Sequence, residues 1–273
     1  MKQGVLKFTL LGTGSSGGVP RLGNDWGDCD PSESKNRRFR CSALAELFEN
    51  GETKPTRLLI DTSPDLRQQL LREGIDRVDA IAISHDHADQ THGLDDIRVL
   101  AMRSRSTLDI YMDEYTNKTL TKKFNYCFVG KGGYPAILRK QPDLIDYETR
   151  GIHGPAGTMG VTPLRQQHGR ITSLGFRIGD LAYCNDVNHL PDQTLEYLQS
   201  LEVLIVDALR YSPHPTHAHL ERTLSWITKL KPKRAILTNL HIDMDYATLK
   251  RELPHNVEPG YDGMSVILNY NFP

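Results

Sequence analysis

The apolar run Ala80-Ile81-Ala82-Ile83 leads directly into Ser84-His85-Asp86-His87-Ala88-Asp89-Gln90-Thr91-His92-Gly93. The run has the length and branching of a buried strand, and the polar window is the loop at its end. Residues two apart point to the same side of an extended chain. His85 and His87 therefore face one way, and Asp89, where the chain turns, reaches a second point a few ångströms off. Such a set can hold two divalent metal ions. Imidazole and carboxylate without thiolate suit zinc, manganese or iron in an open, water-bearing site rather than a closed structural zinc. With 11 histidines in 273 residues, three within residues 85–92 are not the pattern of an ordinary solvated loop.

The rest of the chain alternates short strands with helices. Residues 5–11 read as a strand entering the glycine-rich turn Gly12-Thr13-Gly14-Ser15-Ser16-Gly17-Gly18. Leu58-Leu59-Ile60 ends at Asp61 and precedes a helix with Ser63 as N-cap, Pro64 in the first turn, Leu66, Leu70 and Leu71 at helical spacing, and Gly74 as stop. Residues 173–184 read as a hairpin turning at Gly179-Asp180. Residues 201–206 form a strand ending at Asp207, followed by a helix through Leu220, Leu224, Ile227 and Leu230 that Pro232 stops, then a strand over residues 235–238. Residues 23–40 and 130–158 read as irregular. This order predicts one α/β domain over residues 1–273, with layered sheets and functional loops at strand ends.

A net charge of -1 excludes a basic nucleic-acid-binding surface, and 38% hydrophobic with 25% charged residues is the balance of an ordinary globular chain. The longest apolar runs, such as Val203-Leu204-Ile205-Val206, fall far short of the roughly 18 residues that span a bilayer. The first residues lack a secretory signal, so a cytoplasmic location is the default expectation. Cys29, Cys41, Cys127 and Cys184 are scattered without a C-x-x-C pair, which predicts free packing thiols and no structural zinc at Cys29 and Cys41.

His85-x-His87-x-Asp89 resembles the H-x-H-x-D-H motif of the metallo-β-lactamase superfamily, and later residues extend the resemblance over nearly the whole chain. It implies a four-layer αββα metallo-β-lactamase sandwich. It also implies a first ion on His85, His87 and His168, and a second on Asp89, Asp186 and His241, with Asp186 bridging the two. Gln90 stands where the motif ends in histidine; a neutral amide carbonyl is a weaker ligand, so the second of the two Zn or Mn ions is expected to be held more loosely. His92 is assigned a supporting role, as is Asp61, expected to orient a ligand. The run Arg37-Arg38-Phe39-Arg40 is assigned to a solvated face.

The glycine-rich opening, Gly93-Leu94-Asp95-Asp96-Ile97-Arg98 and His214-Pro215-Thr216-His217 resemble the phosphodiesterase branch: the cyclic-phosphate hydrolases of phosphonate breakdown and their ribonuclease Z-like relatives. That branch implies cleavage of a small cyclic or nucleotide-like phosphodiester by a metal-activated water. Asp89 and His217 would be catalytic, with His217 giving a proton to the leaving group. Ser15 and His217 would touch substrate, and backbone N–H groups of the opening loop would turn toward an anion. The partner expected is that small substrate, with no stable nucleic-acid partner and no membrane, and a homodimer as the assembly to test. Competing readings are tRNA 3′ processing, hydrolysis of an ester, thioester or lactone, and a non-catalytic nucleotide- or metal-binding relative.

Overall fold

A computed structural model describes residues 3–49 and 51–271. Fourteen strands among them form two seven-stranded sheets. The first half of the chain supplies β1 (Gln3–Gly12), β2 (Ser42–Glu49), β3 (Thr56–Ile60), β4 (Ala80–Ala82), β5 (Leu108–Tyr111) and β6 (Leu138–Lys140). The second supplies β7 (Arg150–Gly154), β8 (Gly157–His168), β9 (Ile171–Ile178), β10 (Leu181–Cys184), β11 (Val203–Asp207), β12 (Arg234–Thr238), β13 (Val257–Pro259) and β14 (Ser265–Asn271). One sheet has the order β14-β1-β2-β3-β4-β5-β6, so the last strand returns to its edge; the other runs β13-β12-β11-β10-β9-β8-β7. Helices α1 (Leu66–Arg72), α2 (Ala88–Thr91), α3 (Arg98–Ser104), α4 (Glu114–Lys123) and α5 (Asn125–Phe128) follow strands of the first sheet, and α6 (Asp192–Tyr197), α7 (Leu220–Leu230) and α8 (Tyr246–Glu252) those of the second.

Period-two alternation explains the layering. In β3, Leu58 and Ile60 join a core between the sheets, while Leu59 faces a second core with Leu66, Leu70 and Ile81. In β11, Val203 and Ile205 enter the central core, while Leu204 and Val206 pack with Ile227, Leu230 and Leu249 in a third. A strand buried on both faces needs helices outside each sheet, which gives the expected αββα sandwich.

Each sheet is antiparallel on one side and parallel on the other: β3 through β6 are parallel in the first, β10 through β13 in the second. Ligands in such sheets gather beyond the carboxyl ends of parallel strands. There the chain places Asp61 after β3, His85 after β4, Asp186 after β10, Asp207 at the end of β11, and Asn239 after β12. Asp61, Asp186 and Asn239 all adopt positive φ, at 61°, 50° and 62°. That left-handed conformation is costly for most side chains and least so for Asp and Asn, and it turns each strand sharply into the site.

The anticipated hairpin is β9–β10, and Gly74 ends the α1 segment with φ 63°. Residues 130–158, read as irregular, contain β6, β7 and the start of β8. Both β6 and β7 are sheet-edge strands, and β7, Arg-Gly-Ile-His-Gly, has a single buried apolar residue, Ile152, so the sequence carries no alternation to detect. The basic run is not one solvated face. Arg38 is 2% exposed, its guanidinium donating to the carbonyls of His241 and Met244 and to Asn36 Oδ1. Among the described residues, no helix is long and apolar enough to cross a membrane.

Candidate metal centre

The loop after β4 brings His85 and His87 against His168, the last residue of β8. The ligating nitrogens of these three lie within 4.8 Å of one another, and their rings meet edge to face at centroid distances of 4.6 to 5.2 Å. The His85 and His168 ring nitrogens turned away from the cluster are tied down. Asp61 accepts from the Ser84 backbone N–H and hydroxyl at 2.7 and 2.9 Å, and Ser84 Oγ sits 3.0 Å from His85 Nδ1. His168 Nδ1 donates to the Thr216 carbonyl at 2.7 Å. That leaves the Nε2 lone pairs for the cluster, and His85 Nε2 is buried with no protein partner.

Burial, then the mutual charge of His168, His87 and His217, pushes His85 well below the ordinary imidazole range. Burial and His217 lower His168 to about 3. Neutral imidazoles with converging lone pairs are metal ligands in waiting, so the residues fit a divalent cation. Burial raises the Asp61 carboxyl to about 7, against the pull of Ser84.

Asp186 and His217 form a second group with His168, again within 4.8 Å. His217, in the loop before α7, packs its ring 4.6 Å from that of His168, and its Nδ1–H donates to Asp207 Oδ2 at 2.8 Å. Burial disfavours the His217 imidazolium, but the charge and hydrogen bond of Asp207, with Asp186 and Asp89, outweigh it and raise the group to about 9. Asp186 goes the other way. Burial, with Asp89, Asp207 and Asp61 nearby, drives its carboxyl well above the usual range, opposed by His217.

The remaining expected ligands do not join these groups. Gln90 is 1% exposed, and its Nε2 donates to Asp186 Oδ2 at 2.9 Å and to Asp89 Oδ2 at 3.3 Å. His241 points Nδ1 at Asp243 Oδ1, 2.9 Å away, and Nε2 at Arg21 Nη2. His92 stacks edge-on against Phe124. Ser15 is buried with an unpartnered hydroxyl, on a loop bridged to Leu240. Of that loop's amides, Thr13 N–H donates to the Asp262 carboxylate, Gly14 N–H to Phe39 O, Ser15 N–H to Leu240 O and Gly18 N–H to Ser15 O. A Cβ on Gly12 would lie 2.1 Å from the Arg40 carbonyl oxygen, so glycine there serves close packing. Beside the loop runs a groove of about 630 Å³ lined by Gly17, Gly18, Arg21, Arg37 and Arg40.

Sequence reading gave no role to Asp207, Asn185 or Asn239. The available signal was a repeated one: apolar strands closing on Asp61, Asn185-Asp186, Asp207 and Asn239. Cys29, Cys41, Cys127 and Cys184 are free and buried.

The chain belongs to the family described as beta-lactamase superfamily domain, which its residues 56–242 match. A crystal structure titled as a new diphosphatase from the PhnP family is 33% identical, with a TM-score of 0.87 over 99% of this chain and 100% of that one. The short form of human tRNase Z matches at a TM-score of 0.64 and 16% identity over 95% and 98% of the two chains, a likeness of fold. An octanoyltransferase from Porphyromonas gingivalis is 31% identical over 274 residues, covering 97% of this chain and 52% of that protein, so the chain spans about half the length of this curated relative.

Proposed function

We propose that the chain hydrolyses a phosphoric diester or diphosphate linkage in a small cyclic or nucleotide-like substrate. The observation that carries this is His217, anchored by Asp207 and set against the three-histidine cluster. A divalent ion held by His85, His87 and His168 would supply Lewis acidity and an activated water. The chain's own residues do the rest. Held cationic by Asp207 at neutral pH, His217 can give a proton from Nε2 to the departing oxygen. Asp61, through Ser84, fixes the His85 ring, and Thr216 fixes that of His168. Arg21 and Arg37 give the adjoining groove positive charge for phosphate oxygens, Arg40 being paired with Asp65, and Ser15 immediately precedes its lining residue Ser16. Asp89 is proposed to orient the attacking water.

The likeness to a 33%-identical diphosphatase supports a diphosphate linkage as one form of the substrate. tRNA processing is disfavoured by the net charge of -1, since phosphate contacts dominate RNA binding. Octanoyl transfer is disfavoured too: a thiol nucleophile must ionise, and burial raises Cys29, Cys41, Cys127 and Cys184 alike.

The test compares hydrolysis of bis(p-nitrophenyl) phosphate, a 2′,3′-cyclic nucleotide and a dinucleoside diphosphate with that of p-nitrophenyl octanoate, using protein reloaded with Mn or Zn and an Asp186→Ala background. Metal-dependent turnover of a phosphate substrate alone is expected. Turnover of the carboxylic ester alone would overturn the phosphate assignment.

A further inference from the structure

The family resemblance implies two ions, with Asp186 between them, yet both Asp186 oxygens are already met by hydrogen-bond donors. Gln90 Nε2 lies 2.9 Å from Asp186 Oδ2 and 3.3 Å from Asp89 Oδ2, bridging the two carboxylates a second cation would have to bridge. Asn185 Nδ2 donates to the same Asp186 oxygen at 2.6 Å. Asn239 Nδ2 reaches the other oxygen, Asp186 Oδ1, at 3.3 Å and Asp207 Oδ2 at the same distance. All three amides are at most 2% exposed. Their orientation follows from chemistry: turning Gln90 over would set its carbonyl oxygen against two carboxylates.

The two candidate ligand groups also compete. Both require His168, whose Nδ1 is committed to Thr216, so one lone pair serves whichever ion is bound. His241, which would complete a second site, has both nitrogens occupied by Asp243 and Arg21.

We infer that the centre is mononuclear. One divalent ion sits on His85, His87 and His168, and the Gln90 and Asn239 amides stand in the second ion's place as neutral donors to Asp89, Asp186 and Asp207. They supply hydrogen bonds where a dinuclear enzyme supplies a second positive charge, so more of the leaving-group stabilisation falls to His217. The inference rests on the three-histidine site proposed above and concerns how many ions it holds.

Metal stoichiometry tests it without any turnover. Apo-protein is loaded with excess Mn, desalted and analysed by mass spectrometry for bound metal, with electron paramagnetic resonance on the same samples. One Mn per chain is expected, with the spectrum of an isolated ion, unchanged in count by Asp89→Ala and abolished by His168→Ala. The double variant Gln90→His/Asn239→His is expected to take up two, with the broadened spectrum of a coupled pair. Two Mn in the wild type, one of them lost in Asp89→Ala, would overturn the inference and leave the proposed hydrolase intact. A double variant that still holds one would overturn the role given to the amides. No bound metal would overturn both the inference and the three-histidine site beneath it.

Discussion

Asp207 Oδ2 accepts three hydrogen bonds from segments far apart in sequence: from His217 Nδ1 at 2.8 Å, from the Val187 backbone N–H at 3.1 Å and from Asn239 Nδ2 at 3.3 Å. A fully buried carboxylate at the end of β11 thus holds the ring before α7 as a cation in one orientation, with Nε2–H presented to the site. Asp207→Asn should lower kcat roughly 100-fold or more with little change in KM, the usual magnitude for loss of a general acid. The loss should be large for substrates with poor leaving groups and small for p-nitrophenolate, which leaves without a proton. A loss independent of the leaving group would remove His217 from the proton transfer.

Removing the metal should weaken the fold, because an ion that binds only the folded chain stabilises it by mass action, about 2.7 kcal/mol at a free concentration 100 times its Kd. The thermal midpoint should fall by several degrees on chelation and recover with added Mn or Zn. In His87→Ala the metal-induced shift should vanish. A midpoint indifferent to chelator would contradict the proposed site.

Arg38 ties the loop before β2 to the chain leaving β12 through the His241 and Met244 carbonyls, at 3.3 and 2.7 Å. Arg38→Met keeps the apolar stem and strands those carbonyls, which should cost about 2 to 4 kcal/mol by chemical denaturation. The groove should lose substrate affinity as well, since its arginine-bearing rim hangs from the same segment.

Asp262 provides a pH test away from the metal ligands. Its side chain is 8% exposed and accepts from Thr13 N–H, Thr13 Oγ1 and Phe39 N–H. Burial nonetheless raises it to about 6, above the ordinary carboxylate value near 3.8. Between those values the folded chain keeps a proton that the unfolded chain has released. Its contribution to stability is therefore present at low pH and is lost as pH rises toward 6, at on the order of 1 kcal/mol per pH unit. Wild type should lose stability relative to Asp262→Asn between pH 4 and 6.5. A difference flat with pH would show that Asp262 stays ionised throughout.

Much of this architecture could be read from residues alone. Leu58-Leu59-Ile60 and Val203-Leu204-Ile205-Val206 are short, uninterrupted and apolar because both faces of these strands are covered, and each ends in an aspartate at the site. His85, His87 and His168, the proposed ligands, were legible because the chemistry of a metal site narrows its side chains to a few types. Gln90, Asn185 and Asn239 were harder: an amide has no chemistry in sequence until its neighbours are known, and these gain meaning only around the buried Asp186. His241 shows the converse. A histidine at a strand end looks like a ligand until Arg21, 220 residues away in sequence, is found on its ring. The edge strands β6 and β7 were missed because edges need little apolar alternation.

Phosphoric ester hydrolysis is proposed to run on a metal ion held by His85, His87 and His168. Its most direct test is the rate on a 2′,3′-cyclic nucleotide or dinucleoside diphosphate with chelated protein, then with Mn restored, for wild type and His168→Ala. No turnover is expected after chelation, with recovery on adding Mn to the wild type and none in His168→Ala. Turnover that survives chelation, or that Mn restores in His168→Ala, would contradict it.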